Sequence, residues 1–346
     1  MTLSLAVDTA RWRTHQRAVL AEFPGLVPVA KGNGYGLGNE RLAAEAERLG
    51  TGLLAVGTAA EAAAVLDRFR GDLLVLTPYR VGEEPLELPA RVIRTVAHVE
   101  ALRALPAGTR VVVECMTSMR RHGISPAELA HLPLEGLVFE GFALHLPLDR
   151  PGGAPGDDAS VAECAEWVEA IAAAGLPTAT VFLSHLGAAG VARLGERYPG
   201  TTFRSRIGTR LWLGDPGALT ARATVLDVTP IAKGERYGYR QHRAPSDGQL
   251  LVVTGGTAHG VGLEAPKYLH GMVPRAKGLA RAGLATVNRT LSPYSWSGRQ
   301  LWFAEPPHMQ VSILFLPADT KPPVIGEELP LNTRHTTTHF DRVVDR

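Results

Sequence analysis

Short apolar runs recur along roughly the first 200 residues, each followed by a stretch rich in Ala, Leu and Glu. Leu26, Val27, Pro28, Val29 and Ala30 do not alternate with polar residues, the pattern of a strand covered on both faces. Past four glycines at 32, 34, 36 and 38, the residues Leu42, Ala43, Ala46 and Leu49 fall at helical spacing. Strand, glycine turn and helix make half of a βαβ unit. The same reading places strands at 27–31, 52–56, 72–77, 91–96, 110–115, 139–145, 178–184 and 201–205, and helices at 39–49, 58–69, 125–132, 158–174 and 186–195. Eight strands alternating with helices predict an α/β fold of the (β/α)8 TIM-barrel type. The connection between the third and fourth strands, rich in Pro and Glu, fits this repeat least well. Beyond residue 220 the texture changes. Stretches such as GQLLVVTGGTAHGVG and HMQVSILFLP are strand-like with turns between them and no helical period. The expected division is a barrel over 1–220, its first strand able to pack on the second domain, and a mostly β domain over 221–346.

Composition adds exclusions. Of 346 residues, 45% are hydrophobic and 20% charged, and the formal charge is +2, ordinary for a globular protein. A near-neutral balance with scattered arginines gives no reason to expect nucleic acid or an anionic membrane as partner. No apolar run reaches the length of a membrane span, and MTLSLAVDTARW lacks the features of a signal peptide. Cys115 and Cys164, the two cysteines of the chain, form neither a disulfide framework nor a metal motif. A cytoplasmic enzyme without a metal is the expectation.

In such a barrel, chemistry sits at the C-terminal strand ends. The polar residues there are Lys31, Glu114, His145, Ser184 and Arg206. A solvated rim would also be polar: Lys31 could simply reach solvent, His145 could be a satisfied rim histidine, and Ser184 could cap the following helix. Yet a lysine, a histidine, a hydroxyl and a carboxylate–arginine pair converging on one mouth suit Schiff-base chemistry, because burial or a cationic neighbour frees the lysine amine. That combination points to pyridoxal phosphate (PLP). GNGYGLG lacks the GxGxxG spacing of a dinucleotide fingerprint.

Several segments together resemble the alanine racemase family, the two-domain, barrel-type PLP enzymes. VAKGNGYGLG resembles its lysine motif, and LAVDTARWRTHQ its opening strand and helix. The resemblance implies that Lys31 carries PLP and that the Tyr35 hydroxyl contacts its phosphate. MTSMRRHGI places Arg121 at the arginine that steers the substrate carboxylate, with Arg120 as its competitor. FEGFALHLP supplies His145, FLSHL gives Ser184 as a phosphate ligand, and RSRIGTRLWLG puts Arg206 under the pyridine nitrogen. Gly208 and Thr209 would offer backbone amides to the phosphate. AKGERYGYR lands on Tyr239 as the second catalytic base, with Tyr237 as the alternative, and HMQVS places Met309 at the residue whose backbone meets the substrate carboxylate.

The function so implied is two-base interconversion of L- and D-alanine or a similar small amino acid. Lys31 and Tyr239 would work on opposite faces, in a head-to-tail homodimer whose partner subunit supplies Tyr239. Arg206 would hold the ring nitrogen unprotonated, since a fixed cation disfavours another proton. Glu114 stands seven residues before Arg121, where many members of the family carry a carbamylated lysine, and a permanent carboxylate there would orient Arg121. Phe340 replaces a phosphate-binding tyrosine, Thr257 and His259 replace a tyrosine and an aspartate lining the entrance, and Gln310 replaces the aspartate after the methionine. These departures keep two alternatives open: a PLP enzyme of this fold with altered substrate or chemistry, and a PLP-binding homologue without catalysis.

Overall fold

The computed structural model describes residues 2–83, 87–148, 157–263 and 290–346. Two compact units emerge, one of residues 13–214 and one of residues 1–12 with 215–346. The division falls inside helix α1 (Thr9–Glu22).

The first unit is a closed barrel of eight parallel strands: β2 (Val27–Ala30), β3 (Leu53–Val56), β4 (Asp72–Val75), β5 (Val92–Val96), β6 (Arg110–Cys115), β7 (Val138–His145), β8 (Thr180–Ser184) and β9 (Thr202–Ile207). All eight strands read from the apolar pattern are present, and β9 closes the ring on β2 with Val27 opposite Arg206. Helices α2 (Asn39–Arg48), α3 (Ala59–Val65), α4 (Val99–Ala104), α5 (Asp158–Ala173), α6 (Ala188–Arg197) and α7 (Thr209–Leu213) follow their strands. The expected helix at 125–132 is instead a 3-10 turn over Pro126–His131. Glu128 caps Ser125 there, and Pro133 disfavours helical backbone at Leu132. Between β4 and β5 there is no helix among the described residues.

Strand residues alternate between two cores. Val29, Ala55, Leu74, Ile93, Val112 and Phe182 fill the barrel interior. Their neighbours Val111, Val113, Phe142 and Leu183 point outward and join Trp167, Ile171 and other residues of the helical layer. At the N-terminal end of the strands Arg110 spans Asp72 at 2.7 Å and Glu140 at 2.6 Å. That ion-pair cluster lies where barrel residues serve stability rather than chemistry.

The second unit is an eight-stranded, mostly antiparallel sheet. Its members are β1 (Leu3–Val7), β10 (Leu219–Ile231), β13 (Gly248–Thr254), β14 (Leu291–Trp296), β15 (Arg299–Phe303), β16 (Val311–Pro317), β17 (Glu328–Leu331) and β18 (Arg342–Asp345). The short strands β11 (Arg236–Tyr237) and β12 (His242–Arg243) form a separate ribbon. β10 pairs β1 and β17 along its first half and, past a bulge at Val225/Asp227, pairs β13 along its second. Leu3, Val225, Val253, Tyr294 and Leu314 are among the buried residues of its core. No described helix is long and apolar enough to cross a membrane.

Phe182 fills the barrel interior at 2% exposure. Phe182→Ala should therefore cost about 3–5 kcal/mol, read as a lower urea midpoint for barrel unfolding with an unchanged denaturant slope.

Candidate active site

The two-residue repeat of a strand fixes which side chains enter the barrel. Val29 faces inward, so Lys31 two residues on leaves on the same side, directly after β2 ends at Ala30. By the same alternation Val112 carries Glu114, Ala143 carries His145, and Phe182 carries Ser184. His145 and Ser184 are cross-strand partners. The expected strand-end residues thus meet at one mouth.

At its centre Arg206 is buried and spends its donors on three neighbours. Nε donates to Ser184 Oγ at 3.1 Å, one terminal nitrogen to Glu114 Oε2 at 3.3 Å, and the other to the Leu144 carbonyl at 3.3 Å. Glu114 is as deeply buried as Arg206. Its other oxygen lies 4.0 Å from the half-exposed Arg121. The closer partner of Glu114 is therefore Arg206 rather than Arg121. Ser184 is not a helix cap, since the N-cap of α6 is Gly187.

These charges act on their neighbours. Lys31 opens toward solvent, but the protein packed about its amine, then Arg121 and Arg206, lower its pKa against the opposing pull of Glu61. His145 falls to about 3, first through burial, then through Arg206, Arg121, His185 and Lys31. Its ring meets His185 edge-on at 5.0 Å, and Thr117 Oγ1 donates to its carbonyl at 2.6 Å.

The glycine turn is built for close approach. Tyr35 has a left-handed backbone (φ 57°) and is buried against Gly208, where an added Cβ would lie 1.9 Å from the tyrosine oxygen. Burial raises the Tyr35 hydroxyl to about 12, opposed by a hydrogen bond with the Thr209 side chain. Gly32 N–H donates to Glu61 Oε1 at 2.7 Å, and Trp212 Nε1–H donates to the Val29 carbonyl at 2.8 Å. Glu61 and Trp212 were not singled out in the sequence. Glu61 had a readable signal, the Thr58–Glu61 capping box. Trp212 and His185 had none, because their roles depend on contacts across the barrel.

In the β unit Tyr239 is 83% exposed and Met309 72% exposed. The Tyr237 hydroxyl donates to the Ala304 carbonyl at 3.0 Å, which leaves Tyr239 the less encumbered phenol. His259 is buried, with Nδ1 accepting from Gly256 N–H at 3.2 Å and Nε2 3.2 Å from Asp341 Oδ1. Phe340 packs on the β core. Thr257 N–H donates to the His308 carbonyl, and the Gln310 carbonyl accepts from Gly255 N–H.

The donor set at the barrel mouth fits PLP. A lysine with a lowered pKa can hold its carbonyl carbon, and the Tyr35 and Thr209 hydroxyls stand beside Gly208 at the start of α7. Lys31, Arg121 and Arg206 make the mouth cationic, as a phosphate requires.

The family described as the alanine racemase N-terminal domain matches residues 7–216. A catabolic alanine racemase of Mesorhizobium japonicum is 32% identical over 148 residues, 40% of this chain and 39% of that protein. The match thus spans well under two thirds of that relative. Among solved structures, alanine racemase from D-cycloserine-producing Streptomyces lavendulae superposes with a TM-score of 0.70 at 17% identity, covering 100% of this chain and 97% of its own. That from E. faecalis gives 0.69 at 18%, covering 99% and 98%. That from Bartonella henselae, with covalently bound pyridoxal phosphate, gives 0.66 at 19%, covering 97% and 91%. At these identities the likeness establishes the fold.

Two outcomes follow from the buried charges. Glu114→Gln leaves Arg206 buried without its counter-charge and should lower stability by about 3–5 kcal/mol, measured by urea titration. His145 is neutral when folded until the pH approaches about 3, whereas an unfolded histidine takes a proton near 6.5. The unfolded chain binds the extra proton between these values, so stability falls as pH drops through that window. His145→Gln should make the urea midpoint less sensitive to acid between pH 6.5 and 4.

Proposed function

We propose, on the premise that this chain belongs to the alanine racemase family, that it is a PLP-dependent racemase interconverting the enantiomers of alanine or a similar small amino acid. The observation that carries this reading is the barrel mouth itself: Lys31, its pKa lowered by the protein packed about its amine and by Arg121 and Arg206, at the same strand ends as the buried Glu114–Arg206–Ser184 network. PLP, when bound, supplies the electron withdrawal that makes a substrate Cα–H acidic.

The chain's own groups do the rest. Lys31 holds the cofactor and moves a proton on one face of Cα, for which a lowered pKa suits it at neutral pH. Arg206, fixed by three acceptors, stands as a buried cation where the ring nitrogen would lie. Tyr35, Ser184, Thr209 and the Gly208 amide would hold the phosphate, and neutral His145 would pack beside the ring. Arg121 and the Met309 amide would meet the substrate carboxylate. The Met309 carbonyl already accepts from Ala258 N–H at 3.0 Å. Tyr239 serves as the second base, supplied by the partner subunit of a head-to-tail homodimer; its exposure and the engaged hydroxyl of Tyr237 favour it over Tyr237. His259 and Phe340, both packed into their own unit, favour a second reading in which the preferred amino acid differs from alanine.

Borohydride treatment of the PLP-reconstituted protein should fix the cofactor on Lys31, located by peptide mass. A chiral assay across the twenty amino acids then identifies the substrate. Tyr239→Phe should lower racemisation by roughly 10²–10⁴-fold, the range for loss of a general base. Both directions must fall together, because enantiomers are equal in free energy. The asymmetry appears instead in exchange of the Cα hydrogen with D2O: one enantiomer continues to exchange at the Lys31 face without inverting. A protein that neither retains PLP nor racemises any amino acid overturns the proposal.

A further inference from the structure

Tyr239 sits in a poor place for a base that must be held still. It lies at the tip of the ribbon β11–β12, which has only two residue pairs, Arg236 with Arg243 and Tyr237 with His242. Ribbons this short have little stability of their own. The tip, Gly238 to Gln241, is closed by the Gln241 N–H and side-chain amide on the Gly238 carbonyl at 3.2 and 3.0 Å and by Arg236 on the Gln241 carbonyl at 2.8 Å, none of which holds the Tyr239 side chain. Something outside the ribbon must fix the phenol.

The loop between β15 and β16 supplies it. Glu305 is buried at 5% exposure, and both its oxygens are used. Oε2 accepts from Tyr239 N–H at 2.9 Å, and Oε1 lies 2.7 Å from His308 Nε2. The His308 imidazole in turn lies against the Tyr239 ring, with centroids 4.5 Å apart and planes inclined by 34°. Pro306 and Pro307 stiffen the link between the two residues. Backbone bonds from Ala304 N–H to Ile313 and from His308 N–H to Val311 close the loop at 2.8 and 2.9 Å. Gly238 completes the fit. Its φ is +71°, and a Cβ there would stand 2.2 Å from the Glu305 carboxylate. The glycine is what lets that carboxylate reach the next amide.

We propose that Glu305 and His308 are positioning residues for Tyr239, the carboxylate pinning its backbone and the imidazole holding its ring. The inference rests on the reading of Tyr239 as second base. His308 presents a ring face rather than a ring nitrogen to the phenol, so no proton passes between them. Its contribution is to narrow the arc through which the phenol can swing.

The test compares wild type with Tyr239→Phe, His308→Ala, Glu305→Gln and the double variant Tyr239→Phe/His308→Ala. All are PLP-reconstituted and assayed in D2O with both enantiomers of alanine, and of any other amino acid the chiral assay shows the wild type to racemise, for racemisation and for Cα exchange of each enantiomer. His308→Ala should slow racemisation by roughly 10–100-fold, the scale of misplacing a reacting group by about 1 Å. Exchange at the Lys31 face should stay within about twofold of wild type, which a damaged fold would not allow. Glu305→Gln should act in the same direction, and His308→Ala should cost nothing further in the Tyr239→Phe background. A dead Tyr239→Phe beside an unimpaired His308→Ala overturns the positioning role alone. Equal loss of exchange on both faces in His308→Ala, or an added loss in the double variant, overturns it as well. A Tyr239→Phe variant that still racemises, or a wild type inert toward every one of the twenty amino acids, removes the second-base reading and this inference with it.

Discussion

The barrel mouth depends on one buried contact, the Glu114–Arg206 pair. Two charges withdrawn from water recover their desolvation cost only when geometry is good and the remaining donors find acceptors. Arg206 meets that condition by giving its other nitrogens to Ser184 and to the Leu144 carbonyl. Those three partners come from β6, β7 and β8, so the guanidinium ties four consecutive strands at one level of the barrel. Held there, it lowers the pKa of Lys31, His145 and His185 together, in each case after burial. The half-exposed Arg121 adds to the same effect on all three, and on Lys31 it outweighs Arg206.

The opposite end of the barrel uses similar groups for another purpose. Arg110 lies two residues before Val112 and four before Glu114 on the same inward face. It pairs with Asp72 and Glu140, which raise its pKa, chiefly through the Asp72 hydrogen bond. There two carboxylates face two arginines, since Arg204 also feels Asp72 and Glu140, and every Arg110 guanidinium nitrogen has a carboxylate partner. At the mouth the cations are in excess: Lys31, Arg121 and Arg206 face Glu114, with Glu61 behind the lysine. An excess of fixed cations costs stability in the empty protein and favours an anion in the mouth.

Much of this was legible in the sequence for a simple reason. Buried parallel strands leave continuous apolar runs, and an inward polar residue at the end of such a run must do something other than pack. Lys31, Glu114, His145, Ser184 and Arg206 were visible on that ground alone. Partnerships were not, because they are set by stagger between strands. The chain order 114, 184, 206 gives no hint that one guanidinium joins all three. The 3-10 turn at Pro126–His131 was read as an α-helix because Leu129 and Leu132 mimic helical spacing, whereas Pro133 stops the helix. In the β unit Tyr239 was singled out by resemblance, but Glu305 and His308 were not, since HMQVS points to Met309 and their contacts with Tyr239 exist only where two loops meet.

The preference of Glu114 for Arg206 over Arg121 follows from its length. A carbamylated lysine, such as the resembled family often carries at this position, reaches past four methylenes before its anion begins. Glutamate has two, so its carboxylate stays close to β6 and finds the nearest cation, Arg206, across the strands. Arg121, on the loop after β6, is left at 4.0 Å and half exposed. A guanidinium tethered at that distance gains little from its partner, because solvent screens the exposed member. It is correspondingly free to turn toward an incoming carboxylate, which offers it a bidentate partner that Glu114 does not. Shortening the anion thus moves order from Arg121 to Arg206: the buried guanidinium is fixed in advance by its partners, and the half-exposed one is left to complete its pairing with an anion from outside the barrel.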